Sequence, residues 1–101
     1  MSEPLVFRGP DGSVTVTAAA LTELVARAAR GVEGTRVRRP KRSIEVSHGD
    51  GRAAVRIQLG ARFGVALPQL ARAVQERVAE TLAQTSGLEV ERVDVELAEV
   101  S

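Results

Sequence analysis

The clearest pattern in the sequence lies between residues 52 and 63, where apolar and polar positions alternate strictly. Successive side chains of a β-strand point to opposite faces of a sheet. Strict alternation therefore predicts a strand with one buried face and one solvated face, which is typical of antiparallel sheets. The side chains expected in the core are Ala53, Val55, Ile57, Leu59, Ala61 and Phe63.

Shorter stretches predict the other strands. Residues 43–47 place Ile44 and Val46 on one face, and the following His48-Gly49-Asp50-Gly51 has the composition of a hairpin turn. The remaining predicted strands are 13–16, 35–39 (ended by Pro40) and 88–100, the last with Val93, Val95 and Leu97 facing inward.

Two segments have the apolar periodicity of helices. The first follows Thr17, a suitable N-cap, and ends at Gly31 and Gly34. Pro68 begins the second, and Gly87 stands where a C′ glycine is expected. The first apolar stripe is Leu21, Leu24, Val25, Ala28 and Val32; the second is Leu67, Leu70, Ala71, Val74, Val78 and Leu82.

These elements predict an α+β fold, a two-layer sandwich in the order β-α-β-β-β-α-β. Its sheet is expected to be mainly antiparallel, with both helices on one face because the opposite face of the strands is polar. Residues 13–100 form a single domain in this prediction. Residues 1–12, which carry two prolines and two glycines, are expected to be a flexible N-terminal tail. Within that tail, Leu5-Val6-Phe7 is either an ordered strand or a free docking segment.

Composition leaves little material for catalysis. The 101 residues include one histidine and no cysteine, tyrosine or tryptophan. A metal site needs three or four converging ligands, so His48 beside Asp50 is interpreted as a turn residue. We therefore expect no enzymatic activity, no cofactor and no metal. Neither a targeting signal nor a membrane-spanning apolar run is visible, so we expect a cytoplasmic protein.

The densest charge lies between residues 36 and 42, where five of seven side chains are basic. Together with two arginines of the adjoining strand, they form the candidate partner-binding set: Arg36, Arg38, Arg39, Lys41, Arg42, Arg56 and Arg62. In a second interpretation, these charges are solvated and pair across the sheet with Glu45, Asp94 and Glu96.

Charge is also distributed unevenly along the chain. Residues 1–62 carry 11 basic and 6 acidic side chains, whereas residues 63–101 carry 3 and 7. Opposite charges on one small domain allow head-to-tail self-association. The alternative is a small nucleic-acid-binding regulator that uses the basic segment 36–42. Single-strand binders add aromatic platforms for stacking, and this chain has only Phe7 and Phe63, which argues against nucleic acid.

An ordered set of short motifs then points to a family. The set consists of Gly12-Ser13-Val14-Thr15-Val16, Gly31-Val32-Glu33-Gly34, Ile44-Glu45-Val46, Val55-Arg56-Ile57, Phe63-Gly64, Leu67-Pro68, Val74-Gln75, Thr85-Ser86-Gly87-Leu88-Glu89-Val90 and Val93-Asp94-Val95. In this order, from Gly12 to Val100, the sequence resembles the alkaline shock protein family, or Gls-type general stress family, of envelope stress response proteins.

The resemblance implies a non-enzymatic cytoplasmic protein that supports cell-envelope homeostasis. It implies a peripheral position at the inner face of the membrane, held there by a small membrane-anchored protein partner. Some members of the family self-assemble. We therefore expect a protein-binding module or a self-assembling scaffold that acts through the basic residues.

Overall fold

The structure is a computed structural model that describes residues 3–101. It confirms the α+β class and the predicted order of the main elements. In chain order, the elements are β1 (Leu5–Gly9), β2 (Gly12–Val16), α1 (Ala18–Arg30), β3 (Thr35–Arg36), α2 (Pro40–Ser43), β4 (Ile44–Gly49), β5 (Arg52–Ala61), α3 (Leu67–Ser86) and β6 (Glu89–Val100).

Strand β5 is the centre of the main sheet. Along one edge it pairs antiparallel with β4 and, further on, with the short strand β3. Along its other edge it pairs in parallel with β6, and α3 makes the crossover between the two strands. Asp50 and Gly51 form the two-residue turn between β4 and β5, both with positive φ, which confirms the predicted hairpin.

The two long helices form where their caps and apolar stripes predict them. The Thr17 side chain accepts a hydrogen bond from the Ala20 N–H and begins α1. Gly87 ends α3 with a φ of 70°, in the left-handed region that suits glycine. Both helices pack on the same face of the sheet, and their buried stripes meet the inward side chains of β4, β5 and β6.

The core lies between the sheet and these helices. Leu21, Val25, Ile57, Val74 and Leu82 are fully buried there, as their spacing predicts. Gln75 borders this core and donates a hydrogen bond to the Val93 carbonyl at 3.0 Å. That bond ties α3 to β6.

The N-terminal segment differs from the expected flexible tail. Residues 5–9 form β1, which pairs with β2 in a hairpin separate from the main sheet. We call this hairpin the N-terminal arm (residues 5–16). Residues Gly9-Pro10-Asp11-Gly12, at the end of the predicted tail, have the composition of a turn and reverse the chain so that two short strands meet. At its base, Leu5 and Val16 pack against the core.

Phe63 corrects another expectation. The alternation of β5 continues to Phe63 and predicts a buried side chain, yet the phenyl group is 81% exposed. Strand β5 ends at Ala61, and residues 63–65 turn toward the start of α3 before any element covers this position. The alternation in the sequence therefore continues beyond the strand itself, and it does not predict the burial of Phe63.

Candidate functional site

The basic segment contains a one-turn helix that the sequence did not predict. Arg39 adopts a left-handed conformation, with φ 48° and ψ 66°, immediately before Pro40. The left-handed conformation costs an L-amino acid about 1–2 kcal/mol, so glycine or asparagine usually occupies such a position. This change of direction ends the extended chain after residue 38 and starts α2. We call the three exposed cations of the turn, Arg39, Lys41 and Arg42, the basic turn.

Hydrogen bonds on both sides hold the basic turn in place. The Arg39 carbonyl accepts from the N–H groups of Arg42 and Ser43, at 2.8 and 3.1 Å. The Ser43 hydroxyl donates to the Arg38 carbonyl. On the other side, the buried residue Val37 anchors the chain, and its carbonyl accepts from the Arg30 guanidinium at 3.2 Å. The left-handed residue is therefore fixed by its neighbours.

Three other members of the candidate set lie on the outer face of the sheet, among acidic side chains. Arg38 forms an ion pair with Glu99 at 3.3 Å, and Arg36 borders the same shallow depression. The strand register places Arg56 between Glu45 and Asp94. This outer face therefore has mixed charge. Among residues 3–101, its candidate cations form one ion pair, Arg38 with Glu99, and none with Glu45, Asp94 or Glu96.

Arg62 stands apart from both groups. It follows the end of β5, and its guanidinium lies 3.5 Å from the Glu33 carboxylate in the loop after α1. The seven candidate residues thus do not form one patch. The structure divides them into the basic turn, the mixed outer sheet face and a separate ion pair.

A groove separates the basic turn from α1. Its volume is about 560 Å³, and its walls are Ala19, Thr22 and Glu23 of α1 and residues 39–42. Glu23 is engaged with Arg27 of its own helix at 3.4 Å. The walls of this groove combine small side chains with cations, which suits a ligand that carries negative charge on a narrow backbone.

Sequence reasoning missed the α1 side of this groove. Ala19 and Thr22 lie on the polar side of the predicted helix and carry no chemical signal of their own. Pro40 could have indicated the start of α2, because proline is favoured in the first turn of a helix, but it does not indicate the left-handed conformation of Arg39.

The titratable groups considered for catalysis have ordinary structural partners. The imidazole of His48 lies with Nε2 2.6 Å from the Glu3 carbonyl oxygen. On β6, Glu91 pairs with Arg52 and Asp94 pairs with Arg92, at 3.7 and 3.2 Å. Within residues 3–101, no three histidine or carboxylate side chains converge on a metal position.

None of the helices in residues 3–101 combines the length and apolar character needed to span a bilayer.

Residues 12–101 match the sequence model of the alkaline shock protein 23 family, which is described as having a cell envelope-related function. The match covers almost the whole chain and confirms the resemblance drawn from the motifs. No curated protein and no solved structure shows a significant match.

Proposed function

Because the chain belongs to the alkaline shock protein 23 family, whose function is cell envelope-related, we propose that it is a non-enzymatic binding module. In this proposal it works at the cytoplasmic face of the membrane. It docks there on a small membrane-anchored protein or on further copies of itself, as a scaffold. The basic turn is the surface that makes the contact.

One observation carries this proposal. Among residues 3–101, Arg38, Arg62 and three other arginines have a carboxylate within 4 Å, whereas none of the three cations of the basic turn has one. Other arginines of the described chain also lack such a carboxylate, but the basic turn is distinguished by three exposed cations within four residues on a backbone that hydrogen bonds hold in place. The unpaired cations of a fixed turn retain their full attraction for a negative surface.

The part of the proposal that concerns self-association rests on charge complementarity. Strand β6 pairs only with β5 and is an edge strand of the main sheet. It carries five carboxylates and one arginine. The basic turn of one copy and the acidic β6 of the next form a heterologous contact, which builds open chains or rings.

The test reverses the charge of the basic turn in the full chain. Light scattering behind size exclusion measures mass over a concentration series at low and moderate salt. We expect the wild type to grow into larger assemblies at low salt, and Arg39→Glu/Lys41→Glu/Arg42→Glu to remain monomeric with an unchanged melting temperature. The matched control, Arg8→Glu/Arg72→Glu/Arg77→Glu, reverses three exposed arginines elsewhere and should still assemble.

Two results would contradict this proposal. Assembly of the triple variant to the wild-type mass would remove the basic turn from the contact. Steeply salt-dependent retention of single-stranded nucleic acid in a filter-binding titration would favour the regulator instead. A wild type that stays monomeric at every concentration would exclude the scaffold and leave the membrane-anchored partner as the remaining form of the proposal.

A further inference from the structure

We propose that the groove between α1 and the basic turn binds an acidic, extended peptide segment of a protein partner. This inference rests on the proposed function, because it assigns the chemistry of the partner to the surface described there. It also narrows the contact surface from the whole basic turn to the side of that turn that faces α1 across the groove.

The shape of the groove fits a peptide backbone. Its volume of about 560 Å³ lies within the usual range for ligand sites, about 300–1,000 Å³. Ala19 and Thr22 on one wall and Pro40 on the other have short or rigid side chains, and the remaining lining residues are charged side chains that can extend toward solvent. The small and rigid residues leave room for the main chain and small side chains of one extended segment, with the charged side chains at its flanks.

The charge of the groove selects acidic residues. Arg39, Lys41 and Arg42 line one side, and among the groove residues only Glu23 is negative. That carboxylate lies 3.4 Å from the guanidinium of Arg27, so three cations against one carboxylate that already has a partner leave the groove positive. Carboxylates of a bound segment would form charge-assisted hydrogen bonds, which are roughly twice as strong as neutral ones.

The backbone of the groove is also preorganised for binding. The hydrogen bonds of Arg39, Ser43 and Arg30 described above fix the backbone of the basic turn on both sides of α2. A preorganised site loses less conformational entropy on binding, so more of the contact energy appears as affinity. The cost of holding Arg39 in the left-handed region is met during folding and does not recur on binding.

The concave shape favours a peptide over other negatively charged partners. A bilayer presents a broad surface, which suits a protruding basic patch flanked by large apolar side chains. The exposed large apolar residues Phe7 and Phe63 lie outside this groove. Single-stranded nucleic acid needs stacking platforms, and the residues of the groove include no aromatic side chain.

The experiment is a fluorescence anisotropy titration of the full chain with a labelled peptide that alternates glutamate and alanine. A second peptide replaces each glutamate with glutamine. We expect saturable binding of the acidic peptide that weakens with salt, and at least about tenfold weaker binding of the glutamine peptide.

Three variants locate the binding site. Arg39→Ala/Lys41→Ala/Arg42→Ala should weaken binding at least about tenfold, because it removes every cation of the groove. Ala19→Trp keeps all charges but fills the groove, and should weaken binding to a similar extent. The control, Arg8→Ala/Arg72→Ala/Arg77→Ala, removes the same charge elsewhere and should bind within about twofold of wild type. Melting temperatures establish that each variant is folded.

Several outcomes would overturn the inference. Equal losses in the control and the groove variant would show a general charge effect, and an unaffected Ala19→Trp would place the peptide outside the groove. Retention on phosphatidylglycerol vesicles without binding to the acidic peptide would assign the basic turn to a lipid surface. If peptide binding fails but charge reversal still abolishes self-assembly, the proposed function stands and only the groove is wrong.

Discussion

Strand β5 and strand β2 of the N-terminal arm both alternate apolar and polar residues, but they bury very different amounts of apolar surface. In β5, Val55 and Ile57 are almost completely buried because β4 and β6 flank the strand and both long helices cover its inner face. In the arm, the register places Phe7 opposite Val14 on one face, and these side chains are 43% and 61% exposed.

The difference shows that neighbours, rather than alternation, determine burial. The apolar face of the arm begins at its base, where Leu5 and Val16 pack against the core. It continues to Phe7 and Val14, which are exposed. A two-stranded hairpin on its own is marginally stable in water. The arm and the body should therefore respond differently to the same kind of substitution, and the effects below run from largest to smallest.

The largest effect is expected at the centre of the body. Ile57→Ala removes a fully buried side chain between the sheet and the helices and leaves a cavity. Such substitutions cost about 2–5 kcal/mol of the free energy of unfolding. Urea denaturation followed by circular dichroism measures this cost. A loss below about 1 kcal/mol would mean that this part of the core repacks freely, which would weaken the contrast with the arm.

A matched pair of turn glycines gives a smaller effect. Gly51 joins β4 to β5 at φ 75°, and Gly12 ends the turn of the arm at φ 125°; an added Cβ would contact nothing within 4 Å at either position. Only backbone strain is therefore tested. We expect Gly51→Ala to cost about 1 kcal/mol of global stability. Gly12→Ala should open the arm locally and leave the melting temperature unchanged.

Hydrogen exchange separates the two glycine variants. In Gly12→Ala, protection should fall at the paired amides of residues 5–16, while β5 keeps its wild-type protection. A drop in the melting temperature as large as that of Gly51→Ala would show that the arm and the body unfold as one unit.

The smallest effect is expected at the exposed face of the arm. Phe7→Ala removes a phenyl group that is already 43% exposed. We expect the free energy of unfolding to change by no more than about 0.5 kcal/mol, as for surface substitutions in general. The same urea titration checks it. A cost above 1.5 kcal/mol would show that the arm packs on the body far more closely than its exposure indicates.

Much of the body could be predicted because each of its signals is local. The β5 alternation, the Asp50-Gly51 turn and Gly87 at the end of α3 each specify a backbone conformation with few alternatives. Phe63 shows where this reasoning stops, because the alternation in the sequence continues past Ala61, where the strand itself ends. The arm was predicted only in part: the sequence allows a strand at Leu5-Val6-Phe7 and predicts one at 13–16, but its proline and glycines do not indicate that the two strands pair.

The candidate site was predicted in composition but not in arrangement. A run of basic residues in sequence suggests one patch, and the structure divides it because Arg39 turns the chain between Arg38 and Lys41. Arg38 then faces the sheet and Glu99, while Lys41 faces α1. A left-handed arginine has no reliable sequence signature, so the division and the groove it creates became visible only in three dimensions.

The two edges of β5 also imply an order of folding. Its pairing with β4 needs only a two-residue turn, and β-hairpins of this kind form in about 1–10 μs. Its parallel pairing with β6 must wait until residues 62–88 have been made and α3 has crossed the sheet. Contacts between residues distant in sequence slow folding because loop closure precedes them. We therefore expect β6 to dock last, so that a ribosome-bound chain displays the bare edge of β5 until the C-terminal residues emerge.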